Sequence, residues 1–128
     1  MIYLDSSVVL ARLFVEDRFP PDAFWSRGFV SSRLLTYEVL VRVHARAAGS
    51  SLAGDARQLI DRVSLLELSS GVLARALEPF PLPVRTLDAL HLATMVFLRA
   101  NDQSIEVATY DRRLAEAAQA LGFPLAEL

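Results

Sequence analysis

The sequence contains no cysteine and no lysine. Without cysteine there is no disulfide scaffold, thiolate metal site or sulfur nucleophile, so any metal must be held by oxygen or imidazole. Without lysine, Schiff-base, lysine-base and P-loop chemistries lose the side chain they require. All thirteen positive residues are arginine. No apolar run reaches the roughly 18 residues that span a membrane, and Met1 to Leu4 lacks the basic start and long apolar stretch of a secretion signal, so the chain reads as cytoplasmic. Repeats, low-complexity tracts and linkers are also missing, which leaves one domain over residues 1–128. A net charge of −2 argues against binding nucleic acid by overall charge, although local arginine clusters can still contact phosphate. What the chain has in excess is apolar surface: 53% hydrophobic residues, against about 45–50% in ordinary globular chains, which points to an interface.

The pattern alternates between short apolar runs and helical periodicity. Ile2 to Leu4 is too brief for a helix and reads as a strand, followed by a helix through Val8, Leu10, Leu13 and Phe14 with a serine as N-cap. Phe29 to Ser31 reads as a second strand, with Ser32 capping a helix from Arg33 to about Ala48 that Gly49 ends. A helix over Leu52 to Arg62, a strand over Val63 to Leu68 and a helix over Ser69 to Glu78 follow. Thr86 is placed as the cap of a helix from Leu87 to Ala100 that is apolar on most faces, the mark of a central core element. Ile105 to Thr109 reads as a fourth strand, Arg112 to Leu121 as a helix stopped by Gly122, and Pro124 to Ala126 as a short fifth strand. Such alternation predicts an α/β fold: a central, mostly parallel sheet of four or five strands covered by helices on both faces, with ligands bound beyond the carboxyl ends of the strands.

Four acids stand out against that frame. Asp5 follows the first strand immediately and Asp111 lies just past the fourth, so both fall on the carboxyl edge of the sheet. Asp88 sits in the first turn of a helix, where the dipole favours a negative side chain. Glu38 lies among apolar Leu34, Leu35, Val39 and Leu40, and an acid on so apolar a helix needs a partner. Converging carboxylates repel unless a divalent cation neutralises them, and an all-oxygen site suits magnesium or manganese. Such a site can activate water and stabilise the charge that develops as a phosphodiester is hydrolysed.

The opening Ile2-Tyr3-Leu4-Asp5-Ser6-Ser7, the segment Leu35 to Leu40 with Arg46 beyond it, the run Val84 to Ala93 and the segment Thr109 to Leu114 together resemble the successive motifs of PIN domains, and within them the VapC toxins. The resemblance spans essentially the whole chain in order. It implies a PIN-like fold in which Asp5, Glu38, Asp88 and Asp111 occupy the catalytic acidic positions. Asp5, Asp88 and Asp111 are the metal positions proper, for Mg2+ or Mn2+. Ser6 and Thr109 match the small hydroxyl residues beside the first and last aspartates. It further implies an endoribonuclease that attacks RNA with a metal-activated water, forms homodimers and is blocked by a cognate VapB-type antitoxin reaching into the acidic site. The stretch Asp17 to Phe24 matches no pattern and sits where a substrate-lining loop would be.

Each residue also has a plainer role. Asp5 and Asp111 can serve as caps and Asp88 as a dipole partner, each contributing about 0.3–1 kcal/mol at a surface. His91, one turn after Asp88, reads as a partly buried packing residue rather than as a group that orients the site, and His44 as structural or solvent-facing. Among the arginines, Arg33, Arg42, Arg46, Arg85, Arg112 and Arg113 are candidates for RNA phosphate, with Arg112 and Arg113 best placed because they flank Asp111. A non-catalytic PIN-like scaffold is the alternative function. A phosphate-accepting receiver domain lacks its lysine here, and a phosphatase of the haloacid dehalogenase type lacks a second aspartate at position 7, which is Ser7.

Overall fold

The computed structural model describes residues 1–128. Four strands, β1 (Ile2–Leu4), β2 (Phe29–Ser32), β3 (Val63–Leu66) and β4 (Glu106–Ala108), alternate with six helices: α1 (Ser6–Leu13), α2 (Leu34–Ala47), α3 (Leu52–Ile60), α4 (Ser70–Ala76), α5 (Thr86–Ala100) and α6 (Arg112–Ala120). All strand pairs are parallel, in the order β3-β2-β1-β4. The expected α/β architecture is therefore present, and the two earliest strands fall in the middle of the sheet.

Strand alternation explains how so short a β1 organises two layers. Successive side chains point to opposite faces. Ile2 and Leu4, with Phe29, Val63 and Ala108, pack against Val8, Val9, Leu35, Val39, Val43 and Ala56 from the first three helices. Tyr3, Val30 and Val107 pack on the other side against Leu92, Met95 and Leu114 from α5 and α6. Every β1 residue is buried, as a parallel strand covered on both faces must be. No helix is long and apolar enough to cross a membrane.

Several local expectations need correction. The cap of α1 is Asp5, whose carboxylate accepts from the Ser7 amide, not a serine. Thr86 is the first residue of α5 rather than its cap, and Arg85 holds the cap position without a side-chain hydrogen bond. Arg33, not Ser32, holds the cap position of α2, although the Ser32 hydroxyl at the end of β2 accepts from the Leu34 amide at 3.1 Å; Ser69 caps α4 as expected. The proposed fifth strand contracts to one bridge between Val107 and Leu125, because only Pro124 and Ala126 reach β4 through backbone hydrogen bonds, at 2.8 and 2.9 Å. Helix α5 is less uniformly buried than its composition suggests: His91 to Met95 are buried, whereas Leu87 is 49% exposed. Leu73, Leu77 and Leu82 are exposed as well, and they line an apolar groove of about 890 Å³ between α4, the Pro79–Pro83 segment and the start of α5. Part of the apolar excess of the sequence surfaces here.

Burial sorts the effect of mutations in this fold. Met95 is fully buried, so Met95→Ala is expected to cost about 2–5 kcal/mol in urea denaturation. Leu77 is 89% exposed, and Leu77→Ser is expected to shift stability by no more than about 0.5 kcal/mol.

Candidate active site

Parallel strands end together, and the carboxyl edge of this sheet opens into a polar cleft of about 900 Å³. Asp5 enters it from the end of β1, Asp111 from the start of α6, Asp88 from the first turn of α5 and Glu38 from α2. Four acids from four elements thus share one cavity. Thr109 lies beside it as a hydrogen-bonding partner rather than in its lining.

Asp5 is held most tightly. The β1–β4 ladder continues one step past the strand, with the Asp5 amide donating to Ala108 at 3.0 Å. Its Oδ2 then accepts from the Ser7 hydroxyl at 2.6 Å and the Thr109 hydroxyl at 2.7 Å. Ser7 in turn accepts from the Tyr110 amide at 2.9 Å, and Thr109 from the Asp111 amide at 2.9 Å. Ser7, rather than the expected Ser6, is therefore the hydroxyl that anchors the first aspartate, while Ser6 lines the cleft. The reason is geometric: Asp5 caps α1, and a cap carboxylate meets the residue two positions on. Asp111 caps α6, its Oδ1 accepting from the Arg113 and Leu114 amides at 3.0 and 3.4 Å.

Glu38 has the partner that its apolar setting required. His91 Nε2 stands 2.6 Å from Glu38 Oε1, and His91 Nδ1 stands 2.7 Å from the Tyr3 hydroxyl. A carboxylate only accepts, so Nε2 carries a proton and donates to Glu38. Burial opposes a charge on His91, but the hydrogen bond to Glu38 and the negative charges of Glu38, Asp5 and Asp88 outweigh it and raise the imidazole above its usual pKa. Burial raises the Tyr3 phenol far above its ordinary value, so it remains protonated. His91 is buried, as packing alone would have it, but it also hydrogen-bonds an acid. Sequence reasoning missed that second role because the pair is 53 residues apart.

The acids spend some oxygens on the fold and keep others. Asp5 Oδ1, Glu38 Oε2 and Asp111 Oδ2 have no hydrogen-bond partner within the chain. Asp88 feels the crowding: partial burial first, then the charges of Asp111 and Asp5, raise its carboxyl above the ordinary range, against a lowering contribution from the Arg85 amide. The acids line the cleft without closing into a preassembled ligand cage, since no three of the His, Asp and Glu side chains stand together within coordinating reach. As a donor set, free carboxylate oxygens under mutual repulsion are matched to a hard divalent cation.

Arginines surround this acidic centre. Arg18, Arg42, Arg85 and Arg113 line the cleft, and none is engaged in an ion pair. Arg85 and Arg113 are where the sequence placed them. Arg112 is not: adjacent residues on a helix are turned about 100° apart, and of the two arginines opening α6 only Arg113 joins the lining. Arg42 lies one turn beyond Glu38, an i,i+4 relation readable from sequence. Arg18 carries no such signal. It arrives because the chain turns sharply after α1, with Val15 at a φ of 49°, a left-handed conformation costly for a β-branched residue. The unmatched stretch beginning at Asp17 thereby reaches the cleft, where Arg18 lies 5.0 Å over the Tyr110 ring. Tyr37, beside Glu38 in sequence, is exposed and does not line the cleft.

The PIN domain family model matches residues 2–120 of the chain. Over 128 aligned residues the chain is 34% identical to Ribonuclease VapC46 of Mycobacterium tuberculosis (strain ATCC 25618 / H37Rv), an alignment covering 94% of this chain and 92% of that protein. It is 30% identical to Ribonuclease VapC47 of Mycobacterium tuberculosis (strain CDC 1551 / Oshkosh), over 96% of this chain and 93% of the relative. Ribonuclease VapC35 of the same strain is 30% identical over 94% and 92%.

The hydroxyl lattice under Asp5 has a measurable cost of removal. Thr109→Val takes a donor from Asp5 and an acceptor from the Asp111 amide, and is expected to destabilise the protein by about 1–3 kcal/mol in chemical denaturation. Thr109→Ser, which keeps the hydroxyl, should recover most of that loss.

Proposed function

The chain belongs to the PIN domain family, and from that premise we propose that it is a metal-dependent endoribonuclease, the toxin of a toxin–antitoxin pair. The observation that carries this reading is the meeting of four carboxylates from four elements in one cleft lined by unpaired arginines. Asp5, Asp88 and Asp111 would hold magnesium or manganese, with Glu38 as the fourth catalytic acid. A divalent cation bound there supplies activation of water and stabilisation of charge on the phosphoryl oxygens.

The protein's own groups do the rest. Arg18, Arg42, Arg85 and Arg113 offer donors to RNA phosphates along the cleft, binding without reading sequence. Ser7 is not free to act as a nucleophile, since its hydroxyl donates to Asp5 and accepts from the Tyr110 amide. With no cysteine or lysine available, hydrolysis by water without a covalent enzyme intermediate is the chemistry this site supports. The same reading takes the chain as a cytoplasmic homodimer and as the partner of a VapB-type antitoxin. The exposed Leu73, Leu77 and Leu82 supply apolar surface for such assembly.

Purified protein is expected to cut single-stranded RNA internally with Mg2+ or Mn2+, and to stop in excess EDTA. Asp5→Asn and Asp88→Asn should each reduce cleavage by at least about a hundredfold, the scale on which removing one transition-state charge stabiliser acts. Cleavage that survives chelation, or persists in both variants, would overturn the proposal. Thermal unfolding gives a second check. In EDTA, Asp88→Asn relieves the crowding of Asp88 by Asp111 and Asp5 and should melt higher than wild type. Millimolar Mn2+ should raise the melting temperature of wild type and do so less for the variant.

A further inference from the structure

Three of the four acids sit on elements that are tied together by one buried polar chain. Tyr3 lies in β1, two residues before Asp5; His91 lies in α5, one turn after Asp88; Glu38 lies in α2. The Tyr3 hydroxyl meets His91 Nδ1 at 2.7 Å, and His91 Nε2 meets Glu38 Oε1 at 2.6 Å. Tyr3 and His91 are 0% and 1% exposed, and their rings cross edge to face at 86° with centroids 5.9 Å apart. We propose that Tyr3 and His91 are positioning residues, a cross-brace that fixes how the Glu38 carboxylate enters the cleft it shares with Asp5 and Asp88, so that Glu38 can complete the cation site that the three aspartates begin.

The energetics favour a positioning role over a packing one. A phenylalanine and a leucine at these places would fill the same space without burying polar atoms, and buried polar chains are seldom worth more to stability than well-packed apolar replacements. The chain does have a consequence for geometry. Glu38 projects from a helix with several rotamers open to it, and a donor fixed at Oε1 from a fully buried ring selects one, leaving Oε2 for the cleft. Partners of metal-binding carboxylates and histidines characteristically orient them in this way. The His91–Glu38 contact is also the one hydrogen bond or ion pair that joins α2 to α5.

The proposal rests on the metal-nuclease reading, and the test separates the two. Full-length Tyr3→Phe, His91→Gln and His91→Leu are compared with wild type by titration calorimetry with Mn2+ alone, by thermal unfolding in EDTA and by RNA cleavage. His91→Leu is expected to weaken Mn2+ binding and lower kcat by about 10- to 100-fold. His91→Gln places an amide donor where Nε2 stood and should regain part of both, and Tyr3→Phe should lose up to about tenfold in each while unfolding no earlier than wild type. Should His91→Leu fail to fold, the glutamine and phenylalanine variants carry the comparison. Variants that bind Mn2+ as tightly as wild type and differ only in melting temperature would overturn the brace and leave the nuclease reading standing. Wild-type protein that takes up no Mn2+ would overturn both.

Discussion

The backbone ladder that holds β1 between β2 and β4 is the constraint on which this molecule turns. β1 has three residues, so it contributes few hydrogen bonds of its own, yet it is paired on both edges and covered on both faces. Its alternation assigns Ile2 and Leu4 to one core and Tyr3 to the other. Because its neighbours run parallel, the residues that follow β1 and β4 emerge side by side, and the Asp5 amide is bonded to Ala108 before either side chain is considered. Thr109 then stands within reach of Asp5, and Asp111 within reach of Thr109. The proximity of the first and last aspartates, more than a hundred residues apart in sequence, is thus a property of backbone pairing.

That placement is bought with electrostatic strain. Charged groups drawn together in a partly dry cleft repel, and the carboxyl of Asp88 is raised by its partial burial first and then by the charges of Asp111 and Asp5. The fold limits the cost by giving three of the four acids a local donor: hydroxyls for Asp5, helix amides for Asp111, imidazole N–H for Glu38. None of these donors consumes the whole carboxylate. The net charge of −2 conceals this arrangement, because acids and arginines share one cleft, with Arg42 one turn beyond Glu38 on α2 and Arg113 two residues past Asp111. A polyanion meeting such a surface would find donors for its phosphates beside, rather than on top of, the acids.

How much of this was legible follows from the range of the interactions. Asp5, Asp88 and Asp111 occupy places that local pattern marks: a strand end, a first helical turn, a residue just past a strand. The order of elements and the two-layered burial also follow from short-range periodicity. Caps and termini were read less well, since Asp5 and Ser6 are both good caps and only the chain's entry angle decides between them. What local pattern could not give was pairing across the sheet. Glu38 could be identified as needing a partner, and His91 as lying on the Asp88 face of its helix, but their meeting depends on how α2 and α5 pack on opposite sides of β2 and β1. Arg18 was out of reach for a different reason, its position depending on a left-handed turn at Val15 that no glycine announces.

The two kinds of hydroxyl near the acids illustrate how one residue type serves different ends. Ser7 and Thr109 contact Asp5 directly, and their removal changes the carboxylate's own hydrogen bonds. Tyr3 touches no acid; its hydroxyl meets His91, and any influence on Glu38 passes through the ring. Direct donors adjust where charge resides on an oxygen, whereas an indirect one adjusts where the oxygen is. The proposed cation site would draw on both, the first from the strand ends and the second from the buried Tyr3–His91 pair.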